Sequence, residues 1–596
     1  MAELLQKQDR RTKYCGQFAK DDIGKRVCAL GWVARVRDLG ALIFIDLRDR
    51  TGIIQLAFDG DTDKAIFDKA FKTRSEFVVA AHGVVRARGE GAINKNMPTG
   101  EIEIAVDDYR ILSAAQTTPF EILDDSNVNE TLRLKYRYLD LRRTPLQKNI
   151  MMRHEIALAA REYFYKNGFI EIETPMMIKP TPEGARDYVV PSRIHHGHFY
   201  ALPQSPQIYK QLLMLSGFDR YIQLARCFRD EDLRADRQPE FTQIDLEMSF
   251  VDQSDIMDMI EGFIVYLFKK VLDKNIETPM VRLTYNEAMT RYGSDKPDTR
   301  YGMEIQDISS LVKNSGFSVF SSAVEGGGSV RAIVAEGGAD VLSRKEIDKL
   351  TEHAKGIGAK GLAYIRWVED APSCSFAKFM AEGELESIIS ALGMKKGDVA
   401  LIVADKDKVT LPTLGALRTI VAKKLGIIPE GKFNFLWITE FPFFEWDEES
   451  GTWLAMHHPF TMPLDECLPY IDSDPASVRA KAYDLVLNGT ELLSGSIRIT
   501  DFELQQKMFK SLGLTPEEIE SKFGFLVDAY RYGAPPHGGA GIGLDRLSMI
   551  MCGADSLRDV IAFPKVQNAS EPMSGAPAPA EQKALEELAL ALTDKE

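Results

Sequence analysis

The 596-residue sequence predicts a multidomain α+β protein that begins with a small β-barrel and carries a domain inserted into its main body. The chain is too long for one hydrophobic core, and its length corresponds to about three or four domains. Strand-like segments dominate the first 112 residues, whereas strands and helices alternate afterwards. Glycine clusters and a fresh series of strands and helices after about residue 290 indicate the insertion.

The first 112 residues have the pattern of an oligonucleotide-binding barrel, or OB-fold. A helical stretch, Thr62–Lys72, lies between the third and fourth of five predicted strands. The strands are Val27–Arg37, Leu42–Arg48, Ile53–Phe58, Phe77–Arg88 and Glu101–Leu112. One helix after the third of five strands is typical of this barrel, although other small barrels share the pattern.

Changes of composition divide the rest of the chain. A helix with an apolar stripe, Met151–Asn167, ends before Gly168, and the strand Phe433–Glu440 resumes the main body after the insertion. A polar, proline-rich tail ends in a short helix at Ala580–Leu592. We expect a barrel domain at 1–112, a connector at 113–148, a main domain in two parts at 149–290 and 431–567, an inserted α/β domain at 291–430 and a C-terminal extension at 568–596.

Bulk properties indicate a cytoplasmic protein. Six scattered cysteines without a CxxC pair fit reduced thiols. We expect no membrane span, because no run of about 18 apolar residues is present, and no secretory signal, because the charged N-terminus lacks a short apolar core. The net charge is −15, yet residues 1–112 hold 19 basic and 17 acidic side chains, a balance of +2 that leaves −17 on the remainder. This fits local RNA binding by the barrel, and ordinary surface variation fits it equally well.

The stretch Tyr221–Phe250 carries the clearest chemical signal. Its second half alternates with period 2, so that the polar residues share one face and the apolar residues the other. An antiparallel hairpin would bring Arg229, Glu231 and Phe241 together. A guanidinium suits an α-phosphate, an aromatic ring suits a purine, and a carboxylate suits the purine amino group. The alternative, a solvated hairpin tip, predicts no order in the polar face.

A glycine turn at 538–553 carries the second signal. Gly541 and Gly543 allow a ligand to approach the backbone closely, and Asp545 and Arg546 follow at the start of a helix. An arginine there can reach a terminal phosphate. Taken alone, an ordinary glycine turn before a helix explains this pattern equally well.

Together the two segments resemble motifs 2 and 3 of the class II aminoacyl-tRNA synthetases. FRDED with the downstream RQPEFTQ is similar to motif 2, GIGLDR is similar to motif 3, and the segment 168–175 resembles motif 1. Within that class, the strings TPEGARDY, LPQSPQIYKQLLM and AMHHPFT resemble the bacterial-type aspartyl enzymes over nearly the whole chain. The resemblance implies an antiparallel-sheet catalytic domain behind an OB-fold anticodon-binding domain.

The resemblance also implies an ATP-dependent, AMP-forming ligase. Such an enzyme activates L-aspartate with ATP and Mg²⁺ to aspartyl-adenylate, then transfers aspartate to the 3′ end of tRNA(Asp). A homodimer formed through motif 1 is implied as well. Catalysis would need aligned substrates and cations on the developing charge, without a protein nucleophile.

The family's functional positions match residues of this sequence one by one. The expected catalytic residues are Arg229 and Arg546. The expected aspartate contacts are Glu183, Gln207, Lys210, Arg229, His457 and Arg498. The expected ATP contacts are Arg229, Asp230, Glu231, Gln238, Phe241, Glu491, Gly543, Leu544, Asp545 and Arg546. Asp484 and Glu491 resemble the carboxylates that hold magnesium.

One departure from the family concerns the strand after Glu491. Relatives commonly carry a glycine run there, but here Leu492, Leu493 and Ser494 precede Gly495. Glu491 and Arg498 are an odd number of residues apart, so a regular strand would place them on opposite faces. We therefore expect a β-bulge, for which Gly495 is the best suited residue.

In the barrel, Phe44, Gln55 and Glu103 match the positions that read anticodon bases. An aromatic ring on a strand can stack on a base, although core packing is the alternative for Phe44. Leu39 stands where relaxed relatives, which also charge tRNA(Asn), often have histidine, and this favours strict charging of tRNA(Asp). Gly91 favours the opposite, because strict relatives tend to carry a larger residue there.

Three other functions fit parts of the pattern. In a related synthetase for asparagine or lysine, a lysine and an arginine in the amino-acid pocket would not suit the substrate side chain. A tRNA-independent amino-acid ligase would lack the N-terminal barrel. A non-enzymatic RNA-binding paralogue would be expected to lose Arg229 or Arg546.

Overall fold

The computed structural model describes residues 2–180, 184–231, 237–368, 370–448 and 451–593. The chain forms two compact units. The first unit spans Met1–His154, Leu233–Gln238 and Ser548–Ala580, and the second spans Glu155–Asp232, Pro239–Leu547 and Glu581–Glu596. None of the helices in the described ranges combines the length and the apolar composition needed to cross a membrane.

The predicted five-stranded barrel is present and closed. Its elements are β1 (Arg26–Asp38), β2 (Ile43–Asp49), β3 (Gly52–Phe58), α1 (Lys64–Lys72), β4 (Val78–Ala87) and β5 (Ile102–Ser113). The strand order is β1-β2-β3-β5-β4, and β1 pairs with β4 to close the barrel. Odd-numbered residues of β2, such as Ile43 and Ile45, fill the interior, so the even-numbered Phe44 lies on the outer face.

The connector contains two short helices, α2 (Glu130–Lys135) and α3 (Arg137–Asp140), and leads into the long helix α4 (Thr144–Lys166). Helix α4 begins seven residues earlier than the apolar stripe predicted. Pro145 explains the difference, since proline fits the first turn of a helix. The helix ends as expected before Gly168, whose φ of +80° favours glycine.

The first part of the main body supplies strands for one large sheet and for a small hairpin. Its strands are β6 (Ile170–Glu171), β7 (Val189–Pro191), β8 (Phe199–Ala201), β9 (Arg220–Phe228), β10 (Glu240–Ser249) and β11 (Val281–Thr284). Its helices after α4 are α5 (Gln207–Leu215), α6 (Gln253–Leu272) and α7 (Tyr285–Tyr292).

The insertion has its own antiparallel sheet with helices on both faces. Its strands are β12 (Gln306–Asp307), β13 (Ser329–Ala335), β14 (Ala363–Arg366), β15 (Ser373–Cys374) and β16 (Val399–Asp405), in the order β12-β13-β16-β14-β15. Its helices are α8 (Ser309–Val312), α9 (Ser318–Glu325), α10 (Arg344–Ile357), α11 (Glu384–Ala391) and α12 (Asp407–Leu425). Alternate residues of β13 and β16 enter two separate cores, one with α10 and α12 and one with α8, α9 and α11.

The second part of the main body completes the large sheet. Its elements are β17 (Phe435–Thr439), β18 (Phe444–Asp447), β19 (Thr452–Ala455), β20 (Ala482–Leu487), β21 (Thr490–Ile497), α13 (Phe502–Ser511), α14 (Pro516–Tyr530), β22 (His537–Gly543) and α15 (Leu544–Cys552). The eight strands follow the order β11-β17-β20-β21-β22-β10-β9-β6, and all neighbours are antiparallel except β11–β17 and β6–β9. The tail helix α16 (Gln582–Glu587) is shorter than predicted.

The expected bulge exists, but Gly495 does not form it. In the pairing of β20 with β21, Leu485 lies opposite Leu493 and Val486 lies opposite Glu491, so Leu492 is the extra residue. Gly495 is required for packing instead, because a Cβ there would lie 2.5 Å from the Gly539 carbonyl oxygen and from a Tyr483 ring carbon. Because of the bulge, the side chains of Glu491 and Ser494 lie on the same face of the sheet, whereas a regular strand would place them on opposite faces.

Candidate active site

Two rows of residues cross the centre of the large sheet in register. One row contains Gln223, Asp245, Gly541, Ser494 and Asp484, and the next contains Tyr221, Glu247, Gly539 and Ser496. Residues directly opposite each other on neighbouring strands have their side chains on the same face. The ordered polar face predicted for β10 is therefore part of a larger polar surface that spans five strands, from β9 to β20.

Glycine on β22 makes room for the carboxylates of β10. A Cβ at Gly539 would lie 2.0 Å from Oε2 of Glu247, so a side chain there would displace the carboxylate. A Cβ at Gly541 would lie 3.2 Å from the amide of Gln243. Gly539, which was not predicted as a site residue, thus makes room for the buried Glu247, and Gly541, predicted to admit a ligand, makes room for Gln243.

Four charged side chains form a buried cluster on this surface. Nζ of Lys210, on α5, lies 3.1 Å from Oδ1 of Asp245 and 3.3 Å from Oε2 of Glu247. Arg498 donates from Nε to Oε1 of Glu247 at 2.9 Å and from Nη2 to Oε2 at 3.0 Å. All four residues are at most 3% exposed. The cluster holds two cations and two carboxylates in an enclosed space, where each charge needs a partner.

The acids of the cluster differ in their protonation. Burial raises the pKa of Asp245 to about 6, and Lys210 limits this rise. Glu247 is equally buried, but Arg498 and Lys210 outweigh the desolvation and hold its pKa below the usual range. Glu247 is therefore the permanent anion that orients both cations.

The two adjacent histidines have different surroundings. Nε2 of His458 lies 2.6 Å from Nη1 of Arg498, which also donates to Oγ of Ser496 at 2.5 Å. Burial and Arg498 lower the pKa of His458 well below its usual value, so the ring is neutral and accepts this bond. His457 packs against the Phe441 ring, and its buried Nδ1 has no hydrogen-bond partner among the described residues. An unpartnered buried nitrogen suits a ligand contact.

The remaining described residues expected to contact aspartate also offer unpartnered donors. Nε of Arg229 and Nε2 of Gln207 are buried, and within the described ranges neither atom has a hydrogen-bond partner. The Arg229 guanidinium lies over the Phe241 ring, 5.1 Å from its centre, as the hairpin predicted. Glu183, the remaining expected aspartate contact, lies outside the described residues.

The motif 3 residues join the hairpin and the bulged strand. Oδ2 of Asp545 accepts a hydrogen bond from the Thr242 backbone N–H at 3.1 Å. Nη1 of Arg546 donates to the Glu491 carbonyl oxygen at 3.0 Å and lies 3.7 Å from its carboxylate. Gly543 pairs with Gln243, and Leu544 is buried at the start of α15. These contacts hold β22 and α15 against strands β10 and β21.

Asp484 and Glu491 form a pair of neighbouring carboxylates. Burial, and then the charge of Glu491, raise the pKa of Asp484 well above its usual value. Its Oδ1 is buried and has no hydrogen-bond partner in the part of the chain that the structure describes. Mg²⁺ prefers oxygen ligands and is commonly held by one or two carboxylates together with substrate phosphates. The two residues therefore fit the magnesium role that the resemblance implied.

The last three expected ATP contacts lie on the hairpin loop. Asp230 and Glu231 are half-buried, and the Asp230 backbone N–H donates to the Arg186 carbonyl oxygen at 3.0 Å. Gln238 belongs to the first compact unit, where its side-chain amide contacts the backbone of Lys565.

Of the three expected anticodon residues of the barrel, Gln55 and Glu103 belong to one polar network and Phe44 lies beside it. Nε2 of Gln55 donates to Glu103 at 2.7 Å, and Nη2 of Arg37 donates to Oε1 of Gln55 at 2.7 Å. The Arg37 guanidinium also lies 6.0 Å from the centre of the half-buried Phe44 ring. Leu39 is exposed in the β1–β2 turn, and a Cβ at Gly91 would meet nothing within 4 Å. Packing therefore does not require glycine at position 91.

Several residues of these sites were not predicted as site residues. Asp245 and Glu247 appeared only as members of a polar face, because their partners Lys210 and Arg498 are 35 and 251 residues away in sequence. His458 and Ser496 contact Arg498, and Arg37 lies between Phe44 and Gln55. Sequence spacing alone gives no signal for such long-range contacts.

Comparison with known proteins identifies related families for both parts of the chain. Residues 129–567 match the family described as tRNA synthetases class II (D, K and N). Residues 27–112 match the family of OB-fold nucleic acid binding domains.

Full-length relatives share more than half of their residues with this chain. The aspartate–tRNA ligase of Ruminiclostridium cellulolyticum is 56% identical over 99% of this chain and 100% of the relative. The aspartate–tRNA(Asp/Asn) ligase of Caldanaerobacter subterraneus subsp. tengcongensis is 55% identical over 97% of this chain and 98% of the relative. The asparaginyl-tRNA synthetase of Pyrococcus horikoshii, solved with asparaginyl-adenylate, has the same fold, with a TM-score of 0.58 and 20% identity over 93% of this chain and 97% of that structure.

Proposed function

The chain belongs to the class II tRNA synthetases of the aspartate, lysine and asparagine group, and on this basis we propose that it is an aspartate–tRNA ligase. The observation that carries the proposal is the buried pair of cations, Lys210 and Arg498, on the polar face of the sheet. A pocket with a lysine and an arginine suits a substrate with an anionic side chain, because charge-assisted hydrogen bonds from cations to a carboxylate are strong.

The polar surface supports the activation step. The Arg229 guanidinium, whose buried Nε has no hydrogen-bond partner among the described residues, would contact both the α-phosphate and the substrate carboxylate, while Phe241 would stack on adenine. Arg546 would meet the triphosphate. Bound Mg²⁺, held by Asp484 and Glu491, would neutralise phosphate charge. These residues align the aspartate carboxylate with the α-phosphate, so that proximity and charge stabilisation account for catalysis.

The barrel supports binding of tRNA. Phe44 lies on the outer face beside the network of Arg37, Gln55 and Glu103. An aromatic ring can stack on an unpaired base while the polar groups read its edge. We therefore assign anticodon recognition to this surface and place the enzyme in the cytoplasm with its tRNA.

Motif 1 supports a homodimer. Leu158, Tyr165 and Ile170 at the end of α4 and on β6 are 46%, 79% and 48% exposed. Exposed apolar side chains of this size on two consecutive elements indicate a protein interface. A two-fold symmetric pair would cover the same patch on both subunits.

We propose strict charging of tRNA(Asp), and Leu39 supports it. A relaxed enzyme that also aspartylates tRNA(Asn) is the second candidate. Gly91 favours this candidate, as do the names of several relatives, including one 55% identical to this chain.

The reaction is tested by incubating the purified chain with ATP, Mg²⁺, radiolabelled aspartate and a tRNA(Asp) transcript. We expect acid-precipitable label that depends on both ATP and tRNA. The absence of acid-precipitable label with both tRNA(Asp) and tRNA(Asn) would refute the ligase assignment.

A further inference from the structure

A short segment after α15 is held by side chains from the connector and from the start of α4. The five consecutive carbonyl oxygens from Arg558 to Ala562 each accept a hydrogen bond from one of three side chains. Arg137 donates to Arg558 (2.6 Å), Ile561 (2.9 Å) and Ala562 (2.9 Å), Asn149 donates to Asp559 (3.2 Å), and Arg153 donates to Val560 (3.4 Å). Side-chain hydrogen bonds to five successive carbonyl groups fix the position of a backbone.

Arg137 is the centre of this arrangement. It is 2% exposed, and its Nη1 also donates to Oδ2 of Asp140 at 2.8 Å. Asp140 is fully buried and also forms ion pairs with Arg133 and Arg143, with N···O distances of 3.2 and 3.0 Å. Four of the five N–H donors of Arg137 are therefore used, and only a planar guanidinium can direct bonds to four acceptors at once.

The same segment continues to a residue that touches the hairpin loop. Pro564 is buried and has a fixed φ, so the backbone between Ala562 and Lys565 is stiff. The Lys565 backbone N–H donates to Oε1 of Gln238 at 2.8 Å, and its carbonyl oxygen accepts from Nε2 of Gln238 at 3.1 Å. This pair of bonds fixes the Gln238 side chain at both ends of its amide.

Gln238 is joined by its peptide bond to Pro239, whose carbonyl oxygen accepts a hydrogen bond from the Arg229 backbone N–H at 2.9 Å. A path of hydrogen bonds and covalent links thus leads from Arg137 to the residue proposed to contact the α-phosphate. Resting on the proposed function, we infer that Arg137 is a positioning residue for ATP use, and that it acts through the Lys565 backbone and Gln238.

The test compares aspartate-dependent ATP–pyrophosphate exchange by wild-type protein and by Arg137→Lys, with ATP and aspartate varied separately. Lysine keeps the charge but cannot reach three carbonyl groups and Asp140 together. We expect the KM for ATP to rise between about tenfold and a hundredfold, because misplacement of about 1 Å has effects of this size. The KM for aspartate should change by less than about threefold.

A matched control is available in the insertion. Arg418 is also buried at 2% exposure, and it donates to the carbonyl oxygens of Asp298, Tyr301, Gly302 and Met303. Arg418→Lys should lower the melting temperature as Arg137→Lys does while leaving the KM for ATP within about threefold of wild type. A rise in KM for ATP that is no larger in Arg137→Lys than in Arg418→Lys would overturn the inference.

A double-mutant cycle separates positioning from an independent effect. If Arg137 acts through Gln238, adding Arg137→Lys to Gln238→Ala should not raise the KM for ATP further, whereas multiplied effects would contradict the inference. If Arg137→Lys does not fold, Asn149→Ala removes a single carbonyl contact and should shift the KM for ATP in the same direction. Wild-type protein without exchange would refute the proposed function itself, and the positioning role with it.

Discussion

Glu247 holds Arg498 by two parallel hydrogen bonds, Nε to Oε1 at 2.9 Å and Nη2 to Oε2 at 3.0 Å. The third nitrogen of the guanidinium contacts Ser496 and His458. The protein itself therefore holds Arg498 in one orientation, and binding of aspartate at this residue, as we propose, would cost little side-chain entropy. Lys210 meets Glu247 from α5, so that one carboxylate positions both cations of the pocket.

Replacement of Arg498 tests the amino-acid pocket. Arg498→Leu should remove aspartate activation, because a buried carboxylate without its charge partner loses about 3–5 kcal/mol. Arg498→Lys should restore little of the aspartate activation, since a lysine cannot form the two parallel bonds that Arg498 makes with Glu247. The measurements are exchange kinetics and calorimetric binding of a non-hydrolysable ATP analogue, which should still bind. Near-normal aspartate affinity in Arg498→Leu would show that the pocket lies elsewhere.

Asp245 should make stability depend on pH. Its pKa in the folded protein is about 6, above the usual 3.8, so its contribution to stability is complete below about pH 4 and is lost as the pH rises through 6. A rise of about two units corresponds to about 3 kcal/mol. Asp245→Asn should therefore gain up to this amount of stability relative to wild type between pH 4 and pH 8, measured by urea denaturation. An equal difference at both pH values would contradict the assigned pKa.

The apolar patch near motif 1 should mediate dimer formation. Wild-type protein is expected to be a dimer by light scattering at micromolar concentration, and Leu158→Glu should shift it towards the monomer. Phe71→Glu is the control, because Phe71 is similarly exposed, at 55%, but lies in the barrel domain. A fully active wild-type monomer, or equal dissociation of both variants, would argue against this interface.

Strict tRNA selection is tested with purified tRNA(Asp) and tRNA(Asn) transcripts. We expect tRNA(Asp) to be charged preferentially by about fivefold to a hundredfold, the value of one polar contact of about 1–3 kcal/mol. Leu39→His should reduce this preference for tRNA(Asp) over tRNA(Asn). Gly91→Lys should increase the preference for tRNA(Asp), since the space around Gly91 admits a side chain. Comparable charging of both transcripts by wild-type protein would identify the relaxed enzyme and leave the aspartate assignment intact.

The sequence predicted the fold well where local patterns decide it. Period-2 alternation placed β10 and its polar face, and the five strands with one helix predicted the closed barrel. A bulge was expected because Glu491 and Arg498 are an odd number of residues apart. Its position at Leu492 could not be predicted, because Gly495 packs closely against Gly539 and Tyr483 on neighbouring strands. In the same way, His458 could not be distinguished from His457, because contact with Arg498 depends on the fold of distant segments.

The most direct test of the central claim is ATP–pyrophosphate exchange with each amino acid in turn, in the presence of Mg²⁺ and without tRNA. The pocket built from Lys210, Glu247 and Arg498 should support exchange with L-aspartate and discriminate strongly against asparagine and lysine. Robust exchange with asparagine or lysine, and none with aspartate, would contradict the assignment.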